Sequence, residues 1–571
     1  MRNEHIDRYL VFLICCAGLA AKLIYVFYFT DYTNYIHSDA AGYWERALHR
    51  YHDKPTTMTQ WWVWPPLSHI ILSWYFEVLD LIGLAQYKLK ASLAMNCIAS
   101  SLALYCFYFT SRNIGLSKLW AIIGLLILSA IFPLYYLNSF ILSEVPALLF
   151  LSMAFFFLTI PKANKKHLFV GGLLLALASG FKPSLGTMGL AFGLYILFGF
   201  STYKNNIQKA FSFSCGFIIA ISLIMAENYR ISDGELRSIG AAAGINYFMK
   251  QCKIHKLEYQ APGLYYNFVP AMTADKPHFG NFVGQKPFHK QSYYFSLGDS
   301  CVAANSNANY ENAVSLLSLF FGPFYPSFPS AEGFNELLPG YRIVLAGICI
   351  SSFMLFALLL FTRHRRNSML LMGSICCVST VYYFLNVDHR HLYSLLWPVL
   401  LLLLLGLQHL ISCRRLSSIT CALFIVSASP ILAAYIQSVV YPNLRDNKRP
   451  LEFDLDDIPP LPHQGAFWNT AGFYKLFSNG IHISTPTDSL KNKTAIVVSL
   501  DNNDSYRLEF IADGDSLFVT ELGPQFRQLG GLNHYSVALN ETVKTQGSDK
   551  IIITPLNGDQ SYSFGGLQII E

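Results

Sequence analysis

Several ionisable residues stand where apolar stretches of this chain stop. Asp39 lies in HSDAAGYWERALHRYH, just beyond a first apolar run, and Glu45 follows it. Glu144 opens a later run in NSFILSEVPALLF, and Lys182 closes one in ASGFKPSLG. Asp388, His389, Arg390 and His391 cluster in LNVDHRHLYSLLWP. A positioned carboxylate can take a proton from a hydroxyl. Lys, Arg and His can hold an anion or stabilise charge as it develops. Each residue also has a plain structural role. Glu144, with Ser143 and Pro146, fits a helix N-terminus, and Lys182 and Arg390 fit snorkelling anchors at a membrane edge. Which role applies depends on whether the fold gathers them.

The elements that must position them are membrane helices. Of 571 residues, 53% are hydrophobic and 13% charged, against roughly 25% charged in soluble domains. Apolar runs long enough to cross a bilayer as helices recur. About eleven spans are expected: 8–30, 89–110, 118–138, 143–160, 167–182, 185–201, 209–228, 341–362, 368–386, 391–411 and 417–440. The fold class is a polytopic α-helical membrane protein. The N-terminal apolar stretch is too long for a signal peptide and lacks a small-x-small cleavage site, so it reads as a retained span. The net charge of +6 is spread over short loops, and no basic–aromatic cluster points to nucleic acid.

Residues 65–84, PPLSHIILSWYFEVLDLIGL, decide the topology. They begin with two prolines and carry Glu77 and Asp80, which are costly at mid-bilayer. If they do not cross, the basic connections SRNIGLSK, PKANKKH, STYKNNIQK, TRHRRN and SCRRLSS all face the cytoplasm, as the positive-inside rule requires. The segment therefore reads as an interfacial helix. The N-terminus is then cytoplasmic, and the loops 31–88 and 229–340 and the tail lie outside. A transmembrane domain spans 1–440, with a charged, Pro-bearing linker over 441–462. From 463 to 571, short β-type runs (TAIVVSL, YRLEFIA, SLFVTEL, HYSVALN, KIIITPL, FGGLQII) separated by turn signals read as a β-sandwich.

With that topology, Asp39, Glu144, Lys182 and the 388–391 cluster share the outer side, which favours a site over four separate structural roles. In order and spacing over residues 1–230, the chain resembles the GT-C superfamily of membrane glycosyltransferases. HSDAAGYW resembles the first external loop of that superfamily. PPL, SEVPALLF and GFKPS resemble the protein O-mannosyltransferase and aminoarabinose transferase branch. It departs from that branch in two places. A single Asp39 stands where relatives often carry an acid pair, with Glu45 later, and Trp64 precedes the prolines where a lysine is common.

The resemblance implies a polyprenyl-phosphate-linked sugar donor and a glycan, lipid or protein acceptor. It implies an inverting displacement with Asp39 as base. Arg390, flanked by His389 and His391, would stabilise the leaving phosphate, with Lys182 in support. Glu144 would orient the acceptor or join Asp39 on a divalent ion, Mg²⁺ or Mn²⁺. Trp64, with Trp61 and Trp62, would anchor at the interface or stack on the sugar. Three other functions compete, one of them a non-catalytic assembly protein whose β tail is the working part, although that tail shows no catalytic constellation and reads rather as an acceptor-docking or carbohydrate-binding accessory. A ligase using a lipid diphosphate donor would rely on Arg and His in the long loop without the early Asp. A transporter would show broken helices with ionisable residues near the midplane, whereas here the acids read as lying at external helix ends. Cys252 and Cys301 share the long external loop, where a disulfide would persist. His49 and His52 read as a solvated helix face. The sequons at Asn492, Asn503 and Asn540 matter only in a glycosylating host. Nothing resembles an endoplasmic-reticulum retention signal, so a bacterial inner membrane is expected.

Overall fold

The computed structural model describes residues 2–571 apart from 31, 35–37, 53–64, 200–202, 232–238, 240–241, 252–290, 305, 307, 322–337, 386–390, 414–415, 441–450, 459–460, 462–474, 478–479, 502–504, 524–531 and 557–561. The chain divides into two units. One holds residues 1–243, 311–322 and 337–437, and the other holds 244–310, 323–336 and 438–571.

The first unit is helical. Its helices begin with α1 (Arg2–Ile24, continued by a π-helical turn at Tyr25–Phe29), α2 (Ser38–Tyr51), α3 (Pro66–Leu81), α4 (Lys88–Asn113) and α5 (Lys118–Ala130). They continue through α6 (Phe132–Leu137), α7 (Glu144–Thr159), α8 (Lys165–Phe181), α9 (Met188–Leu197) and α10 (Tyr203–Ile231). Among the described residues, seven helical stretches are long and apolar enough to cross a membrane: Tyr9–Phe29, Ala85–Asn113, Lys204–Arg230, Arg342–Leu359, Arg365–Phe384, Leu392–Ser412 and Ser417–Gln437. Each of the other four expected spans contains a helix, but α5, α7, α8 and α9 have 13, 16, 17 and 10 residues. About 20 are needed to cross.

The short helices have identifiable stops. The run expected to span 118–138 breaks at Ile131, whose extended backbone precedes Phe132-Pro133, and resumes as the six-residue α6. Pro133 cannot continue α5, because it has no N–H for the Ser129 carbonyl and its ring would clash there, but it is tolerated in the first turn of α6. α8 starts at Asn164, whose side chain accepts from the His167 backbone N–H in a capping box. It ends where Lys182 turns extended ahead of Pro183. α4, α7, α8 and α10 pack as a row, each against the next. The α8–α10 contact depends on Gly172 and Gly216: a Cβ on either would clash with the facing backbone carbonyl, of Phe213 or Phe169 respectively. Small residues of this kind let membrane helices approach backbone to backbone.

In the second unit, α11 (Ala242–Gln251) and α12 (Gln291–Ala304) pack together. The Tyr247 hydroxyl donates to Asp299 at 2.8 Å, and Phe248 meets Tyr294 with ring centroids 6.1 Å apart. Cys301 on α12 is disulfide-bonded, whereas ten other cysteines are free. Its expected partner, Cys252, lies outside the described residues. Next come α13 (Ala308–Phe321) and then α14 (Leu338–Leu359), α15 (Arg365–Phe384), α16 (Leu392–Ser412) and α17 (Leu416–Val440), with which the first unit ends. The leucine-rich α16 is buried nearly all round, as a helix apolar on every face should be.

The C-terminal region is β. Its strands are β1 (Leu451–Asp454), β2 (Lys475–Phe477), β3 (Ile481–Ser484), β4 (Ala495–Asp501), β5 (Tyr506–Ala512), β6 (Asp515–Leu522), β7 (Leu532–Ala538), β8 (Lys550–Pro555) and β9 (Tyr562–Ile570). They form one sheet ordered β1-β3-β8-β5-β6 and another ordered β2-β9-β4-β7. Alternate residues of both sheets, including Ile483, Leu508 and Ile553 from one and Val498, Tyr535 and Leu567 from the other, fill one core. All six runs read as strands are strands. The expected linker 441–462 needs correction, because Leu451–Asp454 pairs in parallel with Ile481–Ser484 as an edge strand. The apolar alternation of LEFD is too short to stand out beside its charged neighbours.

Candidate functional site

Glu144 and Lys182 meet. α7 and α8 run antiparallel as a hairpin, which brings the start of one to the end of the other. Lys182 Nζ lies 3.4 Å from Glu144 Oε1, and both side chains are more than 90% buried. Close to Lys182 in sequence, Gly180 lets Leu67 of α3 and Ile224 of α10 pack close to α8, where a Cβ would meet them at 3.0 and 2.6 Å. The pair lines a cavity of about 10 Å³ together with Ser100, Leu137, Val145, Leu148, Tyr393 and Ser394. That is room for about one water molecule.

The pair is deeper than the sequence implies. Ser100 is the thirteenth of the 26 residues of α4, so roughly 18 Å of that helix extends on either side. Both residues do stand at helix ends, Glu144 as the first residue of α7 and Lys182 just past α8, level with the middle of α4. The helices that end at the pair are short, while their neighbour α4 is long.

Two chains of contacts lead away from the pair. On one side Ser143 Oγ lies 3.5 Å from Glu144 Oε2, and the Tyr43 hydroxyl donates to Ser143 Oγ at 3.1 Å. Tyr43 belongs to α2, and Asp39 stands four positions earlier on that helix. The Asp39 side chain is outside the described residues. On the other side Ser184, two residues beyond Lys182, is 3.1 Å from the Tyr382 hydroxyl, and the Tyr382 ring stacks on His391 at 5.1 Å. His391 caps α16, whose first turn supplies Tyr393 and Ser394 to the cavity.

α2 is held by its buried face. Ala40, Tyr43, Arg46 and Ala47 are buried there, at the spacing of one helical stripe. Arg50 bonds Glu227 of α10 at 2.6 Å, and Arg230 also grips Glu227, at 2.9 Å. His69 of α3 is buried with Nδ1 lacking a partner. Burial, and then the positive charges of Arg46 and Arg50, hold its pKa well below the usual histidine value, against the opposing pull of the Pro65 carbonyl. Glu45, expected at the substrate, lies on the exposed side of α2, and Arg46 takes the inward place beside it.

Glu144, Lys182 and His391 are thus brought to one region, and Glu45 is not. Trp64, His389 and Arg390, like Asp388, lie outside the described residues. Sequence reasoning missed Tyr43, Arg46, Ser184 and Tyr382. The signal for the first two was available in the Tyr43–Ala47 and Arg46–Arg50 spacing of α2.

A divalent ion was expected between Asp39 and Glu144, and of these two carboxylates only that of Glu144 is described. One carboxylate oxygen faces an ammonium and the other a hydroxyl, and among the described residues no three His, Cys, Asp or Glu side chains converge. No protein-family model matches the chain, and no curated protein matches its sequence.

Proposed function

We propose that the chain is a membrane glycosyltransferase of about eleven spans with a GT-C-like arrangement, transferring a sugar from a polyprenyl phosphate to an acceptor hydroxyl at the extracytoplasmic face. The observation that carries this reading is the buried chain Tyr43–Ser143–Glu144–Lys182. It ties the helix bearing Asp39 to a cation across more than a hundred residues of sequence. In the transfer, the acceptor oxygen attacks the anomeric carbon and its proton passes to the Asp39 carboxylate. The bond from that carbon to the phosphate oxygen breaks, and the electron pair leaves with the phosphate. Lys182 faces the developing negative charge, and Glu144 holds its ammonium in place. The carrier's tail stays among membrane lipids. The disulfide at Cys301 supports an extracytoplasmic position for the long loop.

The test is transfer by the purified protein from a panel of polyprenyl-phosphate sugars. Parent activity that Asp39→Asn abolishes, with donor binding retained, is the expected result. An Asp39→Asn variant as active as the parent would sink the assignment. A second reading, a transporter, draws on the short, interrupted helices that meet at a buried ion pair midway along α4. Uptake of a solute into proteoliposomes, with no transfer from any donor, would favour it.

A further inference from the structure

Lys22 plays no part in the site described above, and it is a buried cation. It sits on α1 with 1% of its surface exposed. Nζ donates to Ser101 Oγ of α4 at 3.3 Å and stands 6.0 Å from the Tyr135 ring centroid on α6. An ammonium carries three donors, and no carboxylate pairs with this one among the described residues. A hydroxyl and an aromatic face leave the charge of a buried ammonium largely uncompensated.

Its surroundings define what would complete it. Away from the bundle α1 is lipid-like, with Leu13, Ile24, Tyr28 and Phe29 exposed. One helix thickness therefore separates Lys22 from the bilayer. Directly after it the helix widens into the π-turn Tyr25–Phe29, a distortion frequent at functional sites. On the inner side, Ser101 is next to Ser100 in sequence and Tyr135 is two residues before Leu137, and Ser100 and Leu137 line the Glu144–Lys182 cavity. A point positive charge beside the Ser101 hydroxyl and a lipid-facing wall suit a phosphate ester carrying an apolar tail.

We propose that Lys22 is the cation of a lipid-phosphate site entered from the bilayer between α1 and α6. The inference deepens the transferase reading and rests on it only for the identity of the lipid. The experiment measures thermal unfolding of the purified full chain against increasing farnesyl phosphate, farnesol and inorganic phosphate. Farnesyl phosphate should raise the melting temperature of the parent and of Lys22→Arg. Lys22→Met should need at least tenfold more to give the same shift. Farnesol and inorganic phosphate should give none. If Lys22→Met does not fold, Ser101→Ala, which removes the hydroxyl partner, should weaken the response several-fold. A Lys22→Met protein, or failing that a Ser101→Ala protein, that responds at parental concentrations overturns the site. A response to inorganic phosphate equal to that for farnesyl phosphate overturns the lipid as its occupant. Intact, Lys22-dependent binding with no sugar transfer would defeat the transferase reading and leave this site standing.

Discussion

Glu144 and Lys182 hold each other's charge in a setting with almost no water, so removing one strands the other. Breaking a buried pair from one side costs about 3–5 kcal/mol, whereas replacing both ions can be near neutral. Lys182→Met is therefore expected to lower the melting temperature in detergent sharply, and the double variant Glu144→Gln/Lys182→Met to recover much of the loss. A strictly additive cycle would show that the contact carries no coupling. His69 makes a prediction about pH. Its folded pKa lies below the unfolded value of about 6.5, so below pH 6.5 the unfolded chain binds more protons than the folded one. Its contribution is complete above that pH and is lost as pH falls towards the folded pKa. His69→Gln should flatten the acid limb of the stability profile, read by thermal melts from pH 8 downward. An unchanged limb would mean that other groups set it.

At the scale of elements, the α8–α10 seam sets where Lys182 ends up. Gly216→Val forces a side chain against the Phe169 carbonyl, and overpacking of this kind costs about 1–3 kcal/mol. Stability and any transfer activity should fall together, while Gly193→Ala on α9, where nothing lies within 4 Å of the added carbon, should change neither. Apolar length and turn chemistry made the helices and most of the strands readable. They did not reveal that α5 stops at Ile131 or that α8 stops at Lys182 in mid-bundle, because hydropathy continues across both breaks and only the prolines mark them. Glu144 and Lys182 were readable as candidates from their place at the ends of apolar runs. Their contact was not, since it depends on a hairpin whose helices are shorter than a bilayer. Glu45 was singled out for its closeness to Asp39 in sequence, but helical periodicity puts it outside the buried stripe of Ala40, Tyr43 and Ala47.

For the whole molecule, the proposed topology places Cys301 outside and Cys413, exposed after α16, inside. In right-side-out membrane vesicles, a membrane-impermeant maleimide should label Cys301 once the disulfide is reduced. It should leave Cys413 unlabelled until the membrane is permeabilised. The reverse pattern would invert every loop and move the β region to the cytoplasm. Two-unit organisation was partly readable: the change from apolar runs to alternating ones marks the β region. That residues 244–310 group with this region, and not with the helices flanking them in sequence, was not, because their composition does not resemble that of the strands.

The α7–α8 hairpin also bears on how the chain is made. The two helices are consecutive, joined by a tight connection at 160–164, with the acid at the first residue of one and the lysine just past the last of the other. The two charges are 38 residues apart and can pair once both helices of this one hairpin have been made. A hairpin that enters the bilayer with its two charges already paired carries no net charge there, so loss of either one should show as failed membrane insertion, read by protease accessibility of the tail.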